Sequence, residues 1–192
     1  MVSHDVTMAG KSIPERFSWA VERLDLAPSD RVLEIGCGRG AAAALVLDRL
    51  EGGSLTAIDR SDTAIEAARR RNGEHAAAGR ANFLVAALEE VEFADGSFDR
   101  IFSINVNLFW TRAPARELGA LRRWLAPGGS LHLCWEPPGA GRVREIIAMV
   151  APVVEECGFE VATLTGQTSA STGLVCITGS LRRDLRDSTD QT

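Results

Sequence analysis

Val32-Leu33-Glu34-Ile35-Gly36-Cys37-Gly38-Arg39-Gly40 decides the reading of this chain. An apolar run of strand type, broken by one acid, enters three glycines spaced two apart. Glycines there let the backbone turn sharply from strand to helix and let a ligand approach without meeting a Cβ. Ala41–Glu51 then reads as a helix whose free N–H groups face the loop, and Gly52-Gly53 stops it. Ser54–Ile58 is a second strand. Asp59 ends it, 23 residues after Gly36. A carboxylate in that place can accept two hydrogen bonds from a ribose diol. The glycines and the spaced acid together point to a ligand, beyond a turn that merely packs helix on strand.

Outward from this unit the chain keeps alternating. Ser61 or Asp62 caps a helix with Ala64, Ile65 and Ala68 on one face, ending near Gly73. Asn82–Ala86 is a third strand. The turn Asp95-Gly96 leads into a fourth, Asp99–Ile104. Thr111 caps a helix carrying Leu118, Leu121 and Leu125, which Pro127-Gly128-Gly129 ends, and Ser130–Trp135 is a fifth strand. A long amphipathic helix follows with Val143, Ile146, Ile147, Val150 and Val154 inward and a kink expected at Pro152. Phe159–Leu164 and Leu174–Thr178 are separated only by small and polar residues, so they form an antiparallel hairpin. Pro14–Leu26 is a helix with Phe17, Val21 and Leu24 on one stripe. Five strands alternating with helices imply a parallel sheet covered on both faces. Ligands of such sheets bind outside the carboxyl ends of the strands. That rule selects Gly36–Gly40, Asp59–Ser61, Ala86–Leu88, Asn105–Trp110 and Glu136–Ala140.

Composition narrows the function classes. A length of 192 residues favours one domain, and 45% hydrophobic with 24% charged residues is ordinary for a globular protein. Net charge is −5, so nothing suggests a broad nucleic-acid footprint. Apolar runs such as Ile146–Val154 are too short to cross a bilayer. Met1–Lys11 lacks the apolar stretch of a secretory signal, and a cytoplasmic, membrane-free protein is expected. The four cysteines form no Cys-x-x-Cys pair and read as reduced, buried residues. The three histidines are scattered without ligand spacing, so no metal is expected. With no tyrosine, acid–base chemistry falls to other side chains.

Taken alone, Gly36-x-Gly38-x-x-Ala41 also fits a dinucleotide fingerprint. Glu34 tilts the choice, since an acid just inside the loop repels a pyrophosphate and welcomes a cation. S-adenosylmethionine carries an ammonium and a sulfonium and no phosphate. VLEIGCGRG resembles the first motif of class I S-adenosylmethionine-dependent methyltransferases, close to the small-molecule enzymes of types 11 and 25. LTAIDRS resembles the second, with Asp59 in the ribose-binding place, EFADGSFDRIFSINV the segment along strand four, and LAPGGSLHL the turn into strand five. The resemblance covers roughly residues 14–182. It implies a Rossmann-like α/β fold, a seven-stranded sheet of order 3-2-1-4-5-7-6 with strand seven antiparallel and helices on both faces. It implies S-adenosylmethionine as cofactor, held by Glu34, Gly36, Cys37, Gly38, Asp59, Arg60, Ala87, Leu88 and Asn105.

One departure stands out. Family members often carry Gly-Asp-Ala where this chain has Ala86-Ala87-Leu88. Ala87 cannot accept the adenine amino hydrogen bond, a loss of about 1 kcal/mol. The Leu88 N–H can still serve the ring, and Arg60 can stack over it. Ser103-Ile104-Asn105-Val106-Asn107 also lacks the prolines of the family's nucleobase methylators. The expected acceptor is therefore a small molecule, met by Trp19, Asn107, Phe109, Trp110, Trp135 and Glu136. His132 and His75 read as structural; Glu136 is the one candidate base at the rim, and no catalytic residue is assigned. Residues 1–30 are expected to form a helical lid, 31–182 the Rossmann-like methyltransferase domain and 183–192 a polar tail. Phe17 is expected to face the sheet, and Trp19 the cleft or a partner. A second subunit, as in a homodimer, is another way to complete the acceptor site. Two other readings stand beside the methyltransferase: a catalytically silent S-adenosylmethionine-binding module, and a nicotinamide-dependent oxidoreductase.

Overall fold

In the computed structural model, which describes residues 13–111 and 114–181, β1 (Arg31–Ile35) is an inner strand, third of the seven across the sheet. Every β1 residue after Arg31 is buried, as a strand covered on both faces requires. Around it lie β2 (Ser54–Asp59), β3 (Ala81–Val85), β4 (Phe98–Ile104), β5 (Leu125–Trp135), β6 (Phe159–Gln167) and β7 (Gly173–Leu181). The spatial order is β3-β2-β1-β4-β5-β7-β6. The first five strands run parallel, and β7 runs antiparallel to both β5 and β6. This is the order and the antiparallel strand that the sequence resemblance implied.

Side chains alternate between two apolar layers. On one face Leu33, Ile101, Leu131, Leu133 and Ile177 meet α6 (Ala115–Trp124) and α7 (Ala140–Glu156), through Leu118, Leu121, Trp124, Ile146, Val150 and Val154. On the other face Val32, Leu55, Ala57, Phe102, Cys134 and Cys176 meet α1 (Glu15–Val21), α2 (Ala41–Leu47) and α3 (Asp62–Arg71). Alanines along α2 let it lie close to the sheet; Ala42 and Ala43 are buried. Arg31 ties the start of β1 to Asp99 beside it, with backbone and guanidinium both donating to the Asp99 carboxylate.

Several boundaries differ from the sequence reading, each for a local reason. The first helix of the glycine unit stops at Leu47 with Asp48 as its C-cap, short of Glu51. Ser61 caps α3, its hydroxyl accepting from the Ala64 N–H at 3.3 Å. After α3 a further short helix, α4 (Gly73–Ala77), carries His75 out of the expected loop and sets it 2.6 Å from Arg80. Thr111 does not cap the leucine helix. It ends α5 (Leu108–Thr111), its hydroxyl donating to the Asn107 carbonyl at 2.8 Å, while Pro114 precedes α6. Leu125 leaves the helix and opens β5, which runs through Pro127-Gly128-Gly129 with a register shift between Phe98 and Arg100. α7 is helical on both sides of Pro152. α1 is shorter than Pro14–Leu26. Residues 1–12 and the 183–192 tail lie outside the described residues.

Candidate functional site

The loop after β1 folds onto the end of β2. The N–H groups of Gly36 and Cys37 both donate to the Ile58 carbonyl, at 2.8 and 3.0 Å. Gly36, Gly38 and Gly40 all hold positive φ, at 70°, 52° and 72°. A side chain is strained at each of them. A Cβ on Gly38 would meet nothing within 4 Å, so that glycine borders open space. A Cβ on Gly40 would press on Ala68 and Asn72. Asn72 is the residue the sequence reading missed. It is buried, and its amide donates to the carbonyls of Gly40 at 3.1 Å and Ala68 at 2.9 Å, pinning the loop to α3. A polar residue directly before the helix-breaking Gly73 was its only signal.

Asp59 sits where β2 ends. One carboxylate oxygen accepts from the Gly38 N–H and the other from the Ser61 N–H, each at 2.9 Å. The acid thus ties the glycine loop to the cap of α3 and keeps lone pairs free for a ligand. Glu34 lies beneath the loop, 3% exposed, with its Oε2 lacking any hydrogen-bond partner among the described residues. Burial, and then the charge of Asp59, hold its carboxyl well above the usual range. The Cys37 thiol is pushed up by burial and by the same acids, so it is no nucleophile.

A Glu34→Gln variant tests this environment. Glu34 favours its protonated form in the folded protein, so its contribution to stability is present below the ordinary carboxyl range. That contribution is lost as pH rises through the raised value. Glutamine does not titrate. The variant should match the wild type in acid and become the more stable of the two as pH rises, read by urea unfolding across a pH series. A constant difference at every pH would rule this account out.

Asn105 closes the other wall. It holds φ +58°, a conformation that Asn tolerates better than most residues. Its N–H donates to the Cys134 carbonyl, and its side-chain oxygen accepts from the Glu136 N–H at 2.8 Å. The ends of β4 and β5 are thereby clamped together. Between these walls lies a cavity of about 380 Å³, lined in part by Gly36, Asp59, Arg60, Ala87, Leu88 and Asn105. Asn107 and Thr111 border it on the side of α5.

The remaining expected site residues lie elsewhere. Glu34 and Cys37 sit under the loop instead of lining the cavity, and Gly38 lies beside it. Phe109 and Trp135 are 2% and 3% exposed and fill the core beneath the rim. Trp135 still reaches the wall, its indole donating to the Val106 carbonyl at 3.2 Å. Trp110 is half-buried, donates to Asn107 Oδ1 and lies under Arg142. Glu136 pairs with Arg16 of α1 at 2.9 Å. Trp19 does not line the cavity: its indole covers Gly166 of β6, and Arg23 stacks on it. Only a glycine in that strand leaves room for the ring. Phe17 packs against the same apolar layer as α2. Among the described residues no group of three or more His, Cys, Asp or Glu is placed to hold a metal ion. None of their helices is long and apolar enough to cross a membrane.

Comparison with known proteins places this geometry. A family model described as a methyltransferase domain matches residues 32–129, just over half the chain. A ubiquinone/menaquinone biosynthesis C-methyltransferase of Geotalea daltonii is 34% identical over 116 residues, covering 58% of this chain and 49% of its own length. A malonyl-[acyl-carrier protein] O-methyltransferase of a Paenibacillus species is 36% identical over 107 residues, covering 55% and 38%. The chain therefore spans less than half the length of these two relatives. A SAM-dependent methyltransferase structure from Aquifex aeolicus superposes with a TM-score of 0.66 at 18% identity, over 84% of this chain and 88% of that one. That likeness concerns the fold.

Proposed function

The chain belongs to the class I S-adenosylmethionine-dependent methyltransferase family, and on that premise we propose that it moves a methyl group to a small-molecule acceptor by in-line displacement. The carrying observation is the cavity at the carboxyl ends of β1, β2 and β4, where a glycine loop, a rim acid and Asn105 converge. Three features suit the cofactor. Gly38 borders open space, Asp59 keeps lone pairs for a ribose diol, and Glu34 offers a buried oxygen without a partner. A cationic ligand over the loop would draw Glu34 toward its ionised form and gain by it, whereas a pyrophosphate would not. Bound S-adenosylmethionine would supply a methyl group already activated by its sulfonium.

The chain's own residues then have limited tasks. Asp59 and the glycine loop orient the ribose; Ala87, Leu88 and Arg60 border the adenine end. Asn105 borders the cofactor, and Asn107 and Thr111 border the acceptor. Methyl transfer from a sulfonium needs alignment and exclusion of water more than proton transfer. Glu136 is engaged by Arg16, so a role as base would require that ion pair to open. The net charge of −5 and the missing prolines after Ser103 support a small-molecule acceptor over a nucleic acid. The relatives named for C- and O-methylation support the same class.

Calorimetry with S-adenosylmethionine, S-adenosylhomocysteine and NAD tests the cofactor assignment. Binding of the first two and not of NAD is expected; the reverse would overturn it. Turnover against a panel of small acceptors then separates an enzyme from a silent cofactor-binding module.

The segment before β1 belongs to the acceptor side in this reading. Arg16 pairs with Glu136, and Glu15 accepts from the backbone and hydroxyl of Ser169 in the β6–β7 turn. These contacts hold α1 at the rim of the sheet. Arg16→Ala should cost under about 1 kcal/mol of stability, since the pair is partly solvated. It should raise KM for the acceptor more than it changes cofactor affinity. Equal effects on both would remove α1 from the acceptor site.

A further inference from the structure

Outside the cavity, Cys134 of β5 and Cys176 of β7 stand directly opposite each other in the antiparallel register. Such partners have Cα atoms about 4.5–5.5 Å apart. That range lies within the roughly 4.4–6.8 Å that a disulfide spans. Both side chains point into the apolar layer covered by α1 and α2, and both thiols are free. Polar neighbours crowd them. The Thr178 hydroxyl lies 3.8 Å from Cys176 Sγ, and His132 hydrogen-bonds with Ser130 at 2.8 Å and Thr178 at 3.4 Å.

The two sulfurs are not equivalent. The hydrogen bond with Cys176, together with burial, holds the Cys134 thiol well above the usual range, so it keeps its proton. Hydrogen bonds from Cys134 and then from His132 pull Cys176 below it, against the effect of burial. Of the two, Cys176 is the sulfur at which hydrogen bonding favours the thiolate.

Cys134 is also where the sheet meets the cavity wall. Its carbonyl accepts from the Asn105 N–H at 2.9 Å. The next residue, Trp135, holds the Val106 carbonyl, and Glu136 after it holds the Asn105 side chain. A shift of the β5 backbone at Cys134 is therefore felt at Asn105 and Val106, whichever ligand fills the cavity.

We propose that Cys134 and Cys176 form a reversible disulfide on exposure to hydrogen peroxide, and that the bond moves the Asn105–Val106 wall. The Cys176 sulfur attacks one peroxide oxygen; the O–O bond breaks, and the departing hydroxide leaves as water with the thiol proton. The resulting sulfenic acid is attacked by the Cys134 sulfur. The S–O bond breaks, the S–S bond forms, and a second water leaves with the Cys134 proton. Two thiols are oxidised and one peroxide is reduced to two waters. Burial of both sulfurs selects an oxidant near the size of water over a bulky disulfide. A dithiol reductant reverses the reaction.

The test uses the full folded chain, treated with hydrogen peroxide, alkylated and digested without reductant. The expected result is a peptide pair joined through Cys134 and Cys176, the loss of two of the four free thiols, and their recovery with dithiothreitol. Cys157→Ser should leave that result unchanged, and Cys176→Ser should abolish the link. Hydrogen exchange over residues 103–107 should change on oxidation and return on reduction. Oxidation confined to Cys157 or Cys37, or a link that forms only after unfolding, overturns the proposal. A link that leaves exchange at 103–107 unaltered overturns the coupling to the cavity.

Discussion

Gly36→Val will abolish measurable S-adenosylmethionine binding, on the order of a hundredfold loss or more, and will lower stability by about 2–4 kcal/mol. Gly36 holds φ +70°, and a β-branched residue is a true outlier there. A Cβ at this position would also stand 2.5 Å from Val106 Cγ2. The collision is thus with the opposite wall of the cavity, not with the ligand space the sequence reading assumed. Val106 is joined to Trp135, and its neighbour Asn105 to Glu136, so the wall cannot retreat without breaking those hydrogen bonds. Calorimetry and urea unfolding check the two halves of the prediction. Gly38→Ala is the informative comparison, because its Cβ meets nothing and only the backbone strain remains. It should remain folded with a penalty of about 1 kcal/mol. Near-normal binding by Gly36→Val would mean that the loop does not form the cofactor wall.

Asp59→Ala should weaken S-adenosylmethionine binding by roughly 2–3 kcal/mol, or about 30–150-fold. Two effects combine. The ribose loses charge-assisted hydrogen bonds, and the N–H groups of Gly38 and Ser61 lose the acceptor that fixes them. Asp59→Asn separates the two, since its one remaining oxygen can hold only part of the loop. It should fall between wild type and Asp59→Ala. Unchanged affinity in a folded Asp59→Ala protein would remove Asp59 from the site.

The strands were legible because each pairs a β-type apolar run with a clear stop. β1 carries the bounds its residues announced, Arg31–Ile35, and the glycine turn beyond it cannot be anything but an exit. Where the reading slipped, a tertiary contact overrode a local signal. Leu125 has helical spacing with Leu118 and Leu121, yet pairing with Phe98 draws it into β5. Trp19 was expected to face the cleft or a partner because it lies two residues from Phe17, on another side of the helix. Its partner, Gly166, lay outside the expected strand. Among the expected site residues, those on the strand ends could be placed by the general rule for parallel sheets. The aromatic residues could not. Whether Phe109 and Trp135 face the cavity or the core depends on the direction of α5 and on the pleat of β5, which a sequence does not display.

The insertion of β7 between β5 and β6 has a consequence for how the chain is made. A ribosome delivers β6 before β7, yet among the described residues β6 pairs only with β7. Until residues near Leu181 emerge, the outer edge of β5 has no neighbour, and β6 waits beside it without hydrogen bonds. Exposed edges of this kind recruit other chains. β6 has no charge after Glu160 and no proline to deter them. The nascent protein therefore passes through a stage in which most of the cavity wall is already synthesised but the sheet is still open. A premature stop within β7 would leave the chain at that stage, and the foreseeable result is aggregation, not a shortened, working protein.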